Sequence, residues 1–192
     1  MSRSRPDASR HGTPGSTPAP PSEWIRRFAE RIPAGGRVLD LACGSGRHTR
    51  WLLGRGHRVT AIDRDLSGLD DLAPRPGLER LQRDLEDGGP WPLAGRRFEA
   101  VVVTNYLHRP LLADLAAAVA PGGLLLYETF ALGNERLGRP RNPDFLLRPG
   151  ELLDWLHSAG PPGFRILAYE DLLVEQPRPA ALQRIAATAV ET

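Results

Sequence analysis

The chain has no lysine: all 25 of its basic residues are arginine. This excludes Schiff-base chemistry on a lysine amine and the phosphate-gripping lysine of a P-loop. It has one cysteine, Cys43, which excludes an intrachain disulfide framework and a cysteine-built zinc site. The five histidines, His11, His48, His57, His108 and His157, show neither His-x-x-x-His nor His-Glu-x-x-His spacing, so no metal is expected. Apolar runs such as residues 111–120 fall far short of the about 20 residues needed to cross a bilayer. No apolar segment follows the early arginines, so no signal peptide is expected and a cytoplasmic location is the default.

With 192 residues, 41% hydrophobic and 25% charged, the composition suits one globular domain. Residues 1–22 carry Arg3, Arg5 and Arg10 against Asp7, while the remainder balances 22 arginines against 22 acids. The basic excess therefore lies in the tail and not on a folded face, so no nucleic-acid footprint is expected. The arginine excess reads as compositional bias. The tail itself, "MSRSRPDASRHGTPGSTPAPPS", cannot bury enough surface to offset ordering. It is expected to be a disordered arm preceding a domain over 23–192.

From Ser22 onward the pattern changes. Ile25, Phe28, Ala29 and Ile32 recur at helical spacing, with Ser22 placed to cap. Strands and helices then alternate. Strands are expected at "RVLDLAC" (37–43), "HRVTAID" (57–63), "LERLQRDL" (78–85), "FEAVVVTNY" (98–106) and "LLLYETFA" (124–131). Helices are expected at "RHTRWLLGRG", "LSGLDDLA" (66–73), "LLADLAAAVA" (111–120, closed by Pro121-Gly122-Gly123) and "PGELLDWLHSAG", with Pro149 in the first turn. "FRILAYEDLLVEQ" and "ALQRIAATAVE" read as two antiparallel strands that add a reversed strand at one edge. The fold class is α/β: a doubly wound, Rossmann-like, mostly parallel seven-stranded sheet with a C-terminal antiparallel strand.

In such sheets ligands bind at the carboxyl ends of the strands. Gly44-Ser45-Gly46 follows the first strand, where glycine tolerates positive φ and lets a ligand approach the backbone. A dinucleotide fingerprint needs Gly or Ala at position 49, which is Thr49. Asp40 sits four residues before Gly44. A carboxylate there suits an ammonium group or hydrogen bonds that hold the loop, and is poorly placed beside a pyrophosphate. Asp63, at the end of the second strand, can accept from both ribose hydroxyls. Asp84-Leu85, at the expected end of the third, suits an adenine amine and ring. Three acids at successive strand ends fit a cationic, ribosyl, adenine-bearing ligand better than an anion. Cys43 reads as a small buried residue, and His48 as a helix-start residue facing solvent or the loop.

"VLDLACGSGRHTRWLLGRGHRVTAID", followed in register by "RDLED", "FEAVVVTNYLH" and "VAPGGLLLYETF", resembles the class I S-adenosylmethionine-dependent methyltransferases over residues 37–131. It looks most like small bacterial members grouped with tellurite-resistance and generic small-molecule enzymes. The resemblance implies that Asp40, Ala42, Gly44 and Gly46 line the methionine end of S-adenosylmethionine. It implies that Asp63 holds the ribose, that Asp84 and Leu85 hold the adenine, and that Asn105 lies beside the cofactor. The expected acceptor is a small molecule. Membrane association is not expected, and a nucleic-acid acceptor is disfavoured.

Methyl transfer needs alignment of donor and acceptor, and sometimes removal of a proton. Tyr106 and His108, in "TNYLHRP" after the fourth strand, are the candidate bases or orienting groups. This stretch departs from the Asn-Pro-Pro-Tyr pattern of adenine or amide N-methylation. Tyr127 and Glu128 point to opposite faces of the fifth strand, so one should approach the pocket, and Tyr127 is taken as the substrate contact. The loop "GNERLGRPRNPDF" offers Arg139, Arg141 and Asn142 to a substrate carboxylate or phosphate. The alternatives are a nicotinamide-dependent oxidoreductase, a non-catalytic cofactor-binding module, and methylation of RNA or protein.

Overall fold

Strand β1 (Arg37–Leu41) buries Val38, Leu39 and Leu41 completely. A central parallel strand, covered on both faces, demands such a continuous apolar run. The same logic forms β2 (Arg58–Asp63) and β4 (Phe98–Thr104), with Ala61 and Ile62 buried on the first and Ala100 to Val103 on the second. The computed structural model describes residues 19–160 and 163–190. Most of the arm expected over 1–22 therefore lies outside the described residues.

β3 (Leu78–Gln82), β5 (Val119–Phe130), β6 (Phe164–Val174) and β7 (Ala180–Ala189) complete a seven-stranded sheet. Its order is β3-β2-β1-β4-β5-β7-β6. The first five strands are mutually parallel, and β7 runs antiparallel to both β5 and β6. The reversed strand thus lies inside the sheet rather than at its edge. β7 buries Ala181, Ile185, Ala186 and Ala187, small enough to be covered on both faces. β6 is half-exposed for most of its length and forms the edge.

Strand order reverses between β1 and β4, and the helices divide accordingly. Helices α1 (Glu23–Ala29) and α2 (Arg47–Gly54) cover one face through Trp24, Ile25, Phe28, Leu52 and Leu53. Helices α3 (Leu112–Ala118) and α4 (Glu151–Ser158) cover the other through Leu115, Ala118, Leu152 and Leu156. Ser22 caps α1 by accepting from the Trp24 N–H at 3.1 Å. The indole N–H of Trp24 reaches across to the Ile185 carbonyl at 3.3 Å, fixing α1 over β7.

Several boundaries differ from the sequence expectation, three of them near the site or the core, and the helix expected over 66–73 is a 3-10 turn over Ser67–Leu72. β3 stops at Gln82, so Asp84 and Leu85 belong to the loop beyond it. α3 stops at Ala118, and Pro121-Gly122-Gly123 forms an irregular first stretch within β5, with a register shift opposite Phe98 and Ala100. A side chain at Gly123 would press on the Phe98 carbonyl at 3.1 Å, which explains the glycine. α4 begins after Pro149, because Gly150 takes a left-handed conformation at φ 75° and the Glu151 carboxylate folds back to accept the Arg148 N–H at 2.7 Å.

Candidate active site

The loop after β1 alternates left-handed residues: Ala42 at φ 51°, Gly44 at 53° and Gly46 at 75°. The two glycines do different jobs. A Cβ on Gly46 would collide with Leu69, so this glycine lets the loop rest on the 3-10 turn Ser67–Leu72. A Cβ on Gly44 would meet no protein atom within 4 Å. Space above Gly44 is open to a ligand, and Gly44 and Ser45 are exposed there.

Asp40 does not face this space. It is enclosed, and its Oδ2 accepts the Thr49 hydroxyl at 2.5 Å. Burial pushes its carboxyl up to about 6, against the opposing pull of Thr49 and the Arg47 charge. Asp40, expected beside the cofactor, lies beneath the loop, where its bond to Thr49 ties the end of β1 to the first turn of α2. Thr49 stands where a dinucleotide fingerprint has its third glycine, and a glycine there would lose this hydroxyl.

Asp63 lies at the tip of β2, half-exposed. Its Oδ2 accepts the Gly44 N–H at 2.8 Å and its Oδ1 the Asp65 N–H at 3.1 Å. It holds the glycine loop while retaining free lone pairs. Asp84 is half-buried and accepts the Glu86 N–H at 2.9 Å; Leu85 leans on the main core beside it. Asn105, exposed at the tip of β4 with φ 56°, donates its N–H to the Glu128 carbonyl at 2.9 Å. The order β3-β2-β1-β4 sets Leu85, Asp63, Gly44 and Asn105 along one edge of the sheet. This open, acid-rimmed ledge fits an adenosyl sulfonium: it has ribose acceptors, an apolar side chain for a purine and backbone that a ligand can approach.

The chemistry candidates separate. The Tyr106 hydroxyl is buried and makes no hydrogen bond in good geometry to the described residues. Burial and the nearby Glu86 carboxylate hold its phenol well above the ordinary range, so it stays protonated at neutral pH. Of the two roles expected for Tyr106, base or orienting group, a phenol that keeps its proton suits the second. His108 is half-buried, and its carbonyl accepts the Leu111 N–H at 3.1 Å to open the 3-10 turn Arg109–Leu111. Tyr127 is sealed in the core, edge-on to Trp155 at 5.8 Å, with its hydroxyl donating to the Tyr106 carbonyl at 2.9 Å. Tyr127, expected as a substrate contact, is fully enclosed and braces the backbone at Tyr106. Glu128, on the opposite face, is buried and paired with Arg184 at 3.2 Å, and Arg184 also holds Glu170 at 2.7 Å.

Arg139, Arg141 and Asn142 lie exposed on the loop after β5, with Asn142 Oδ1 capping the Asp144 N–H at 3.1 Å. Sequence reasoning missed what holds this loop. Asn134 is buried, donating to the Pro140 carbonyl at 3.2 Å and accepting the Ala181 N–H at 3.3 Å. Arg109 forks onto Glu151 at 2.6 and 2.9 Å and also donates to the carbonyls of Asp144 and Leu146. His48, expected to face solvent or the loop, is buried. Its Nε2 accepts the Ser22 N–H at 3.1 Å, which leaves the proton on Nδ1, 3.3 Å from the Thr104 hydroxyl. Burial and the neighbouring Arg47 charge push its imidazole down to about 3.

A family profile described as a methyltransferase domain matches residues 16–189. The chain belongs to this methyltransferase family. It is 34% identical over 160 residues to tRNA U34 carboxymethyltransferase of Methylococcus capsulatus, covering 72% of this chain and 48% of that protein. It is 32% identical over 157 residues to ubiquinone biosynthesis O-methyltransferase of Xanthomonas axonopodis pv. citri, covering 67% and 63%. It is 36% identical over 104 residues to malonyl-[acyl-carrier protein] O-methyltransferase of Serratia marcescens, covering 52% and 40%. The methyltransferase chain thus spans from two fifths to under two thirds of these relatives' lengths.

The same fold occurs in TehB from Haemophilus influenzae (TM-score 0.68, 18% identity, 85% of this chain and 60% of that one). It recurs in an S-adenosylmethionine-dependent methyltransferase from Mesorhizobium loti (0.67, 20%, 85% and 95%). Among the described residues of this methyltransferase-family chain, no helix is long and apolar enough to cross a membrane. Nor do any three His, Cys, Asp or Glu side chains among them gather to hold a metal ion.

Proposed function

We propose that the chain is an S-adenosylmethionine-dependent methyltransferase acting on a small molecule in the cytoplasm, through one catalytic domain over residues 23–192. The observation that carries this reading is the ledge above Gly44, open to a ligand and rimmed by Asp63, Asp84, Leu85 and Asn105. The family match supports it over a nicotinamide-dependent oxidoreductase, and so does the use of Thr49 as an anchor for Asp40. The fold alone would not decide activity: the [4+2]-cyclase SpnF shares it at a TM-score of 0.64. The relative named for tRNA suggests another acceptor class, but the basic excess here lies in Arg3, Arg5 and Arg10 rather than on the domain.

Bound S-adenosylmethionine supplies a methyl group already activated on a sulfonium. The protein's part is alignment and proton handling. Asp63 accepts from the ribose hydroxyls while keeping its bond to the Gly44 N–H. Asp84 accepts from the adenine amine, with Leu85 against the ring, and Asn105 closes the ledge at β4. The backbone of Ala42, Gly44 and Gly46 takes the methionine end. Tyr106, positioned by Tyr127, keeps its proton and offers its O–H as a hydrogen-bond donor that orients the acceptor. His108 offers a ring nitrogen to receive the acceptor's proton where one must leave. Arg139, Arg141 and Asn142 steer a substrate from the loop above.

Titration calorimetry with S-adenosylhomocysteine and NAD tests this reading. Tight binding of the nucleoside and none of NAD is expected, with about ten- to hundredfold weaker binding in Asp63→Ala. Binding of NAD alone would overturn it.

A further inference from the structure

Arg47, the first residue of α2, follows directly on the glycine loop and is half-buried. Two carboxylates lie close enough to act on its charge, Glu128 and Asp40. Neither is bonded to it. Asp40 is taken by Thr49, and Glu128 by Arg184, which Glu170 also holds. Among the described residues, no hydrogen bond or ion pair engages the Arg47 side chain. A planar fork of five N–H donors stands idle at the strand tips, partly withdrawn from water. Burial lowers the guanidinium below its ordinary range, and the two carboxylates only partly offset that loss. One further anion would complete the compensation.

We infer that Arg47 binds a carboxylate at the methyl-transfer end of the site. This rests on the methyltransferase reading above and adds to it the chemistry of one ligand group. A monoanionic carboxylate suits the place better than a phosphate, because Asp40 and Glu128 already contribute negative charge there and would repel a dianion. The planar fork matches the two oxygens of a carboxylate. Two sources carry such a group: the amino-acid end of the methyl donor, and a carboxyl on the acceptor. The position, one residue past Gly46 and within reach of the charge of Glu128 on β5, adjoins both.

The test titrates three probes into wild type, Arg47→Gln and Arg47→Lys: S-adenosylhomocysteine, its decarboxylated analogue, and malonate added to protein saturated with S-adenosylhomocysteine. Selective weakening of S-adenosylhomocysteine by about ten- to hundredfold in Arg47→Gln, with the decarboxylated analogue unchanged, assigns the carboxylate to the donor. Loss of malonate binding with both nucleosides unchanged assigns it to the acceptor. In either case Arg47→Lys keeps part of the affinity, since the charge stays and the fork is lost. Equal weakening of both nucleosides would mean that Arg47 only shapes the loop, and overturns the inference. So would three probes that bind all variants alike. Wild type that binds neither nucleoside removes the methyltransferase reading, and the inference with it. Thermal melts of each variant confirm that the folded protein is being compared.

Discussion

The backbone N–H of Ser22 donates to Nε2 of His48 at 3.1 Å, fastening the cap of the first helix to the first turn of the second. The bond needs a neutral imidazole. The folded protein provides one down to about pH 3, whereas the unfolded chain protonates near 6.5. Unfolded chains therefore bind more protons over that window, and the His48 contribution to stability falls as the pH falls through it. Asp40 has the opposite sign. Its carboxyl protonates near 6 when folded and near 3.8 when unfolded, so its penalty is full at pH 7 and fades as the pH falls from 6 towards 4.

The two effects mask each other in wild type and separate in variants. Between pH 7 and pH 5, His48→Gln is expected to gain about 2 kcal/mol relative to wild type, and Asp40→Asn to lose about 1 kcal/mol. Urea melts at the two pH values measure both. Differences of equal sign would show that the burial attributed to one of the groups is wrong.

The two loop glycines should fail in different ways. Gly44→Ala places a methyl group in open space at a left-handed φ, at a cost of about 1–2 kcal/mol. It should stay folded and lose S-adenosylhomocysteine binding. Gly46→Ala drives its methyl into Leu69 and should lose about 2–5 kcal/mol. Differential scanning calorimetry with and without ligand distinguishes the two outcomes.

Because Tyr106 keeps its proton, Tyr106→Phe should leave the shape of the pH–rate profile intact while raising KM for the acceptor. His108→Ala should lower kcat by about 10²–10⁴-fold, and an unchanged kcat would take away its role as a base.

Arg109 and Glu151 bind through two hydrogen bonds across 42 residues of sequence, with the Glu151 side chain nearly enclosed. Arg109→Met should cost about 2–4 kcal/mol, because Arg148 alone would remain to answer that carboxylate. Arg109→Met combined with Glu151→Leu should cost less than the single change. Chemical denaturation of the three proteins supplies the cycle.

The parallel half of the fold was legible because burial on both faces writes itself as uninterrupted apolar runs, as in Ala100–Val103. The glycine loop and Asp63 were legible for a similar local reason: positive φ and a strand-end acid both leave a mark within a few residues. What stayed hidden depends on distance along the chain. Nothing near His48 announces that Ser22 will donate to it, and nothing near Tyr127 announces the Tyr106 carbonyl. The sequence offers Asp40 as a ligand contact or as a loop support, and its bond to the Thr49 hydroxyl has no mark near Asp40 itself. The hairpin of β6 and β7 was visible as a pair. Which arm met β5 was written only in the small residues of β7, whose neighbours lie in β5.

That arrangement has a consequence for how the chain is made. β6 emerges from the ribosome before the strand that joins it to the sheet. Until Ala180–Ala189 are out, β5 presents an unpaired edge and β6 has nothing to dock on. The half of the sheet beside the glycine loop can assemble as it is translated, while the other half waits for β7. A stop or frameshift just before residue 180 would spare every residue of the cofactor ledge and still leave a sticky, open sheet.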